Sequence, residues 1–388
     1  MDNPLLNKEV QKFIFNYEGD STKLAFSGSP FSEISTKQLI TQIESRKKAE
    51  KKLPIWHSTE GILYPPKLNL EQTSSQVTAA YKSRLVTGET LADFTGGYGV
   101  DCLFFSKVFK TVTHFEINES LSQIVNHNYK KLKKHNIKCI TGNAFDHLQS
   151  LKFDVVYIDP SRRHDTKGKV FFLKDCLPNI PKNLNVLFQH TDTILIKTSP
   201  MLDISVGLSE LDFVKEIHIV AVENEVKELL WLINKKTFEA LKIKTINISD
   251  KGNETFSFLW EDKKDNTYTF PKKYLYEPNA AIMKSGAFNL LPSRFKVEKL
   301  EKHTHLYTSE ELQIFPGRSF KIKQIINYNK KEMRNGITFD KANITTRNFP
   351  ESVATLRKKW KLKDGGNHYL FFTTVAKNQK ILLICAKI

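Results

Sequence analysis

The sequence contains a glycine-rich stretch placed to bind an anionic ligand, Asp93-Phe94-Thr95-Gly96-Gly97-Tyr98-Gly99-Val100-Asp101. It follows a short apolar run that is typical of a strand, residues 91–94, and it opens a predicted helix over residues 100–108. Glycines permit a tight turn and a close approach of the backbone to a ligand. The free N–H groups of a helix N-terminus then offer a site for a carboxylate or phosphate. The stretch predicts a cofactor turn, although similar turns occur in dinucleotide-binding proteins and as purely structural features.

Polar residues follow the next two predicted strands. Glu116 ends the second strand, where a carboxylate can accept hydrogen bonds from both hydroxyls of a ribose, although a surface acid or a helix cap would look the same. Asn143 follows the third strand, where it could bind an adenine amino group or cap a helix. The dinucleotide fingerprint requires a third glycine where this chain has Cys102. The pattern therefore favours S-adenosylmethionine (SAM) over NAD.

Alternation of strands and helices defines the elements that position these residues. Further strands are predicted at 111–115, 138–140, 154–158 and 193–197, with a helix at 120–135 and a closing hairpin of 217–222 and 228–233. Such alternation predicts an α/β fold with a mainly parallel Rossmann-like sheet. Ligands of these sheets bind at the carboxyl ends of the strands. The candidate residues all fall at such ends.

The chain of 388 residues is long enough for two or three domains. Residues 1–70 predict a helical N-terminal domain, with an amphipathic helix over 38–52. Residues 71–262 contain the strand–helix alternation, and residues 275–388 predict a small α+β domain with short helices near 277–285 and 352–359 and strands at 369–375 and 381–386. A membrane span or secretory signal is not expected. The four scattered cysteines favour reduced thiols in a cytoplasmic protein over a metal site.

The positive charge of the chain is concentrated at its C-terminal end. The formal net charge is +17, and residues 271–388 contain 23 Lys and Arg against 9 Asp and Glu. This imbalance favours nucleic-acid binding, although a lysine-rich solvated surface would have the same composition. Trp360, within the most basic stretch, could stack on a base or anchor a helix. The candidate nucleic-acid contacts are Lys321, Lys323, Arg357, Lys358, Lys359 and Lys361.

The glycine turn, Glu116, Gly142-Asn143-Ala144 and Asp159-Pro160 together resemble the class I SAM-dependent methyltransferase superfamily over residues 70–235. Over the whole chain the sequence is similar to bacterial methyltransferases with a C-terminal THUMP-like domain, through Glu71-Gln72-Thr73-Ser74-Ser75, Arg347-Asn348-Phe349-Pro350 and Lys363-Asp364-Gly365-Gly366. THUMP modules are associated with RNA modification, so the resemblance implies RNA, tRNA or rRNA, as the substrate. It implies these cofactor-binding residues: Gln72, Asp93, Thr95, Gly96, Gly97, Gly99, Asp101, Glu116, Asn118, Asn143, Ala144 and Asp159.

The segment after the strand at 154–158 resembles the (Asp/Asn)-Pro-Pro-aromatic loop of amino-methylating enzymes. In that loop the acid and a backbone carbonyl accept hydrogen bonds from the target amine. Here Ser161 replaces the second proline and Arg162 the aromatic residue, so a nitrogen acceptor is favoured while carbon and oxygen stay open. Arg162 and Arg163 could stack on a base, clamp a phosphate or form surface salt bridges. The resemblance implies these catalytic residues: Asp159, Pro160, Ser161, Arg162 and Arg163.

Three functional hypotheses follow. The first is an RNA methyltransferase that modifies a base nitrogen and docks the RNA with its basic C-terminal domain. The second is a methyltransferase for DNA or protein. The third is a nucleic-acid-binding protein whose cofactor fold is not catalytic, which the unusual residues at 161–163 would permit.

Overall fold

The computed structural model describes residues 3–65, 70, 72–148, 151–162, 172–236 and 238–388. The chain divides into two compact units. The first consists of Met1–Ile217 and Glu228–Glu239, and the second of His218–Lys227 and Ala240–Ile388. Among the described residues, no helix combines the length and the apolar character that crossing a membrane requires.

The first unit is built on a largely parallel sheet. Its strands are β1 (Thr90–Asp93), β2 (Thr111–Glu116), β3 (Ile137–Thr141), β4 (Val155–Ile158), β7 (Thr193–Thr198), β8 (Val214–Val222, of which residues up to 217 belong here) and β9 (Glu225–Asn234, of which residues from 228 belong here). The strand order is β8-β9-β7-β4-β1-β2-β3. β9 runs antiparallel to β7, whereas β7, β4, β1, β2 and β3 pair in parallel. The order reverses at β1 and β4, so ligands are expected at their carboxyl ends.

Helices flank the strands of this unit. They are α1 (Lys8–Asn16), α2 (Ser21–Ser27), α3 (Thr36–Lys52), α4 (Pro54–Ser58), α5 (Gln76–Lys82), α6 (Val100–Phe105), α7 (Glu119–Lys131), α8 (Ile180–Leu187) and α9 (Ile204–Glu210). A capping box starts α3, because the Ser35 side chain accepts from the backbone of Gln38 and the Gln38 side chain accepts from the backbone of Ser35. A separate two-stranded sheet pairs β5 (Ser161–Arg162) with β6 (Cys176–Leu177).

The second unit contains β10 (Lys242–Ile248) and β11 (Glu254–Leu259), which continue from the rest of β8 in the order β8-β10-β11. It also contains a seven-stranded sheet made of β12 (Tyr274–Pro278), β13 (Glu298–Lys299), β14 (Tyr307–Ser309), β15 (Gly317–Asn327), β16 (Asn343–Arg347), β17 (Tyr369–Val375) and β18 (Gln379–Lys387). The strand order of that sheet is β13-β14-β12-β15-β18-β17-β16. Its helices are α10 (Ala280–Ser285), α11 (Leu291–Phe295), α12 (Lys330–Gly336) and α13 (Val353–Trp360).

Alternation along β17 explains the two apolar faces of this sheet. Phe371 packs with Leu275 and Phe320 on one face, whereas Leu370 and Phe372 pack with the helical residues Met333 and Leu356 on the other. Successive side chains of a strand point to opposite faces. The apolar residues of β17 therefore contribute to the hydrophobic clusters on both faces of this sheet.

Several predicted helices have different bounds in the structure, and the helix predicted at 100–108 ends at Phe105. The helix predicted at 120–135 ends at Lys131, because Lys133 adopts a left-handed φ of 54° that stops the helix. The helix predicted near 277–285 begins only at Ala280, after the cap at Asn279. Glu277 and Pro278 instead end strand β12, because they pair with β15. The division into domains at 1–70, 71–262 and 275–388 stays a prediction.

Candidate active site

The glycine turn between β1 and α6 has a distinct requirement at each glycine. Gly97 and Gly99 have φ angles of 52° and 76°, in the left-handed region that favours glycine. A Cβ on Gly99 would lie 2.1 Å from the hydroxyl oxygen of Tyr129, and one on Gly96 would lie 2.3 Å from Nε2 of His114. A Cβ on Gly97 would meet only one backbone oxygen, at 3.7 Å. The turn is therefore packed tightly against buried rings at two glycines and has open space beside Gly97.

Asp93 lies beneath this turn and is only 1% exposed. Its carboxylate accepts hydrogen bonds from the backbone N–H of Thr95 (2.9 Å) and the thiol of Cys102 (3.2 Å). Burial raises the pKa of Asp93 to about 7, and the charges of Asp101 and Asp159 act in the same direction. Burial also raises the pKa of the Cys102 thiol, so this group stays protonated and donates. Both oxygens of Asp93 thus have partners within the chain.

Glu116, at the end of β2, connects this strand to the glycine turn through a hydrogen bond. Its Oε2 accepts a hydrogen bond from the N–H of Gly97 (2.9 Å), and its Oε1 accepts one from the N–H of Asn118 (2.7 Å). A carboxylate has about four lone-pair positions, so acceptor capacity remains for ribose hydroxyls. The neighbouring Ile117 is 74% exposed. It exposes apolar surface at the residue next to Glu116, and an adenine ring could pack against such a surface.

The other predicted cofactor residues have mainly structural contacts. Oδ1 of Asn118 accepts a hydrogen bond from the first turn of α7 (2.9 Å), and Oδ1 of Asn143 caps the short helix Ala144–His147 (3.2 Å). The amide nitrogen of Asn143 is not used by this cap and is therefore compatible with a ligand. Ala144 is buried, and Gln72 is exposed.

Asp159, at the end of β4, lies beside both the turn and β7. Its backbone N–H donates to Oγ1 of Thr95 (2.7 Å), which connects it directly to the glycine turn. Its Oδ2 forms an ion pair with Nζ of Lys197 on β7. The side chain of Asp159 is 34% exposed, whereas Pro160 is buried. Asp159 thus contacts the glycine turn through its backbone and Lys197 through its carboxylate, which is partly exposed to solvent.

The first two residues after Pro160 belong to a short strand and not to a loop. Ser161 and Arg162 pair as strand β5 with Leu177 and Cys176 of β6, in antiparallel register. The hydroxyl of Ser161 donates to the carbonyl of Leu177 (3.4 Å). Arg163 lies outside the described residues.

Asp159 lies near a cluster of charged residues that consists of Lys82, Asp101, Lys197 and Glu228. Among these four residues, the sequence patterns predict a functional role only for Asp101. Lys82 of α5 is fully buried and bonds both oxygens of Glu228 (2.9 and 2.8 Å) as well as Oγ of Ser74 (3.0 Å). Nζ of Lys82 also lies 3.2 Å from Asp101 Oδ1. The sequence feature that could identify the other members is a charged residue inside an apolar strand, such as Lys197 in Thr193–Thr198 and Glu228 in Glu225–Asn234.

The predicted nucleic-acid contacts of the second unit fall into two groups. Arg357 forms an ion pair with Asp364, and Lys359 forms one with Glu351 (3.0 Å). Trp360 packs against the core of that unit, so it anchors α13. The remaining four cations are exposed: Lys321, Lys323, Lys358 and Lys361.

Three regions of the chain match family models. Residues 88–160 match RNA cap guanine-N2 methyltransferases, residues 274–316 a ferredoxin-like domain, and residues 317–387 THUMP-like domains. A crystal structure from Porphyromonas gingivalis W83, described as that of a methyltransferase, is 31% identical, covers 98% of this chain and 97% of its own, and superposes with a TM-score of 0.89. The chain belongs to this methyltransferase family.

Other likenesses are confined to a part of the methyltransferase. TrmK from M. capricolum, solved with S-adenosylhomocysteine, is 16% identical, covers 45% of this chain and 70% of its own, and has a TM-score of 0.33. An rRNA methylase from Streptococcus thermophilus is 16% identical, covers 42% of this chain and 95% of its own, and has a TM-score of 0.31. No curated protein matches the sequence.

The family assignment confirms the predicted α/β Rossmann-like fold and the predicted enzyme class. The chain is a SAM-dependent methyltransferase with a THUMP-like domain at residues 317–387. The residues at the carboxyl edge of the sheet fit this cofactor, because the turn is open at Gly97, Glu116 retains acceptor capacity and Ile117 offers apolar surface.

Proposed function

We propose that this methyltransferase modifies RNA, tRNA or rRNA, at a nitrogen of a base. The observation that carries the proposal is the position of Asp159, whose backbone is hydrogen-bonded to Thr95 of the glycine turn. The turn and the acid are thereby held together at the ends of β1 and β4. A carboxylate at this position can orient a target amine toward the cofactor.

The chemistry of a carboxylate selects the acceptor. An ionised Asp159 is a hydrogen-bond acceptor only, so it orients a group that bears N–H, such as an exocyclic amine of a base. The match of residues 88–160 to RNA cap guanine-N2 methyltransferases supports such an amine. Bound SAM supplies the methyl group, and the chain contributes positioning and electrostatic stabilisation. Pro160, Ser161, Arg162 and Arg163 complete the proposed acceptor site.

The cofactor-binding roles belong to the same proposal. The N–H groups at the start of α6, with Gly96, Gly97, Gly99 and Asp101, would hold the methionine end, and Asp93 would act from beneath the turn. Glu116 would bind the ribose. Adenine would lie between Ile117 and the segment Asn143–Ala144. Asn118 and Gln72 would shape the edges of this site.

The basic THUMP-like domain would dock the RNA. Exposed lysines neutralise phosphates and release counterions, which gives affinity without reading sequence. Lys321, Lys323, Lys358 and Lys361 are exposed and are therefore better placed for this role than Arg357 and Lys359, which already have carboxylate partners.

The test uses the purified full-length chain with radiolabelled SAM and total RNA from a strain that lacks the gene. We expect label in RNA, and mass spectrometry of nucleosides should show one methylated base that the deletion strain lacks. Asp159→Ala should abolish this transfer while calorimetry still detects SAM binding. Label in DNA or protein but not in RNA would overturn the proposal, as would SAM binding without transfer to any of them.

A further inference from the structure

Lys197 occupies an unusual position for a lysine. It lies in β7 between Ile196 and Thr198, and the parallel register pairs Ile196 with Ile158 of β4. The next residues along these strands, Lys197 and Asp159, are therefore neighbours at the carboxyl edge of the sheet. The Lys197 side chain is only 14% exposed, and its Nζ forms an ion pair with Oδ2 of Asp159.

Three acids near Lys197 keep this lysine positively charged. Burial lowers the pKa of this ammonium, but Asp159, Glu228 and Asp101 raise it, and the net result is a raised pKa. Lys197 is therefore a fixed cation across the pH range in which a cell operates, and it cannot serve as a base. Glu228 and Asp101 also form ion pairs with Lys82. The ammonium of Lys197 thus interacts with three acids and forms its ion pair with Asp159.

We propose that Lys197 is a positioning residue for methyl transfer, because it fixes the Asp159 carboxylate through Oδ2 and leaves Oδ1 for the N–H of the target amine. Thr95 holds the backbone of Asp159 and Lys197 holds its side chain, so the carboxylate has a defined direction relative to the glycine turn. A misplaced group of this kind can cost about 100-fold in rate. The inference rests on the proposed function, since it assigns Asp159 as the residue that orients the amine.

The experiment measures methyl transfer to RNA from the deletion strain between pH 6 and pH 9, with kcat and KM for RNA determined separately. Lys197→Met should lower kcat by about 100-fold while the SAM affinity, measured by calorimetry, changes little. Without the Lys197 cation, the acids Asp93, Asp101 and Glu228 and the cation Lys82 remain in this cluster, and the loss of its ion-pair partner makes Asp159 easier to protonate. The residual activity should therefore rise with pH. Lys197→Arg retains the charge and should recover much of the rate without this pH dependence.

Lys236→Met is the matched control. Lys236 pairs with Asp192 at 2.5 Å beside the opposite end of β7, and both side chains are well exposed. This variant removes a lysine from an ion pair without touching the acceptor site, so we expect wild-type rates. The melting temperature of each variant is measured first, and Lys197→Gln replaces Lys197→Met if the latter does not fold.

A double-mutant cycle separates positioning from a general structural role. If Lys197 acts through Asp159, then Lys197→Met should lower the residual activity of an Asp159→Asn enzyme far less than that of the wild type. Equal losses in both backgrounds, a loss that is uniform with pH, or unchanged kcat in Lys197→Met would each overturn this inference. Absence of transfer to RNA by the wild-type chain would instead contradict the proposed function itself.

Discussion

Asp93 is an acid whose charge the protein interior disfavours. Its pKa rises from 3.8 to about 7 in the folded chain because of burial, with Asp101 and Asp159 adding to the effect. The folded state therefore holds a proton that the unfolded state releases at lower pH. The stability that this group contributes is fully present below about pH 4 and is lost as the pH rises through 7. The loss is on the order of 4 kcal/mol.

Asp93→Asn should remove this pH dependence, because an amide of the same shape can still accept the hydrogen bond from Thr95. The melting temperature of the variant relative to the wild type should rise between pH 5 and pH 8. Differential scanning fluorimetry without cofactor measures both proteins across that range. A difference that stays constant with pH would contradict the assignment of a raised pKa to Asp93.

At the scale of elements, the glycines of the turn between β1 and α6 differ in how much space a Cβ atom would have. Gly97→Ala should cost roughly 1–2 kcal/mol, the price of a left-handed backbone, because its Cβ has room. Gly99→Ala should cost clearly more and weaken SAM binding, because its Cβ would lie 2.1 Å from the Tyr129 hydroxyl oxygen. Chemical denaturation and calorimetry measure the two effects.

A second substitution tests the origin of that difference. Tyr129→Phe removes the hydroxyl and should partly restore stability to Gly99→Ala, although it destabilises the wild type by removing a hydrogen bond of 2.9 Å to the carbonyl of Gly99. Equal costs for Gly97→Ala and Gly99→Ala would show that packing beneath the turn is not the cause.

Strands β1 to β4 could be predicted from sequence because each is a short apolar run that ends at, or is followed by, an acid or a glycine. The buried charges could not be predicted in the same way. Lys82 and Glu228 are 146 residues apart, and a lysine at the end of a helical pattern suggests exposure until its partner is known. The end of strand β12 could not be predicted either. Glu277 and Pro278 suggest the start of a helix from sequence, and only their pairing with β15 makes them part of a strand.

At the scale of the whole molecule, the excess of positive charge lies almost entirely beyond residue 270. The structure refines this count, because it separates cations that pair with a carboxylate, whether exposed or not, from other exposed cations. Arg357 and Lys359 belong to the first group, and Lys321 and Lys323 on β15 belong to the second. Composition alone cannot make this distinction, since ion pairs depend on the folded neighbours of each residue.

RNA binding should therefore depend on the location of lysines and not merely on their number. The double variant Lys321→Ala/Lys323→Ala should weaken RNA binding and reduce the slope of log affinity against log salt by about 0.7–0.9 for each lost phosphate contact. Lys263→Ala/Lys264→Ala removes the same charge from another exposed pair and should leave the slope nearly unchanged. Filter binding of bulk tRNA at several salt concentrations measures both. Equal reductions in the two variants would mean that the RNA responds to diffuse net charge, because only a docking surface makes the position of a lysine matter.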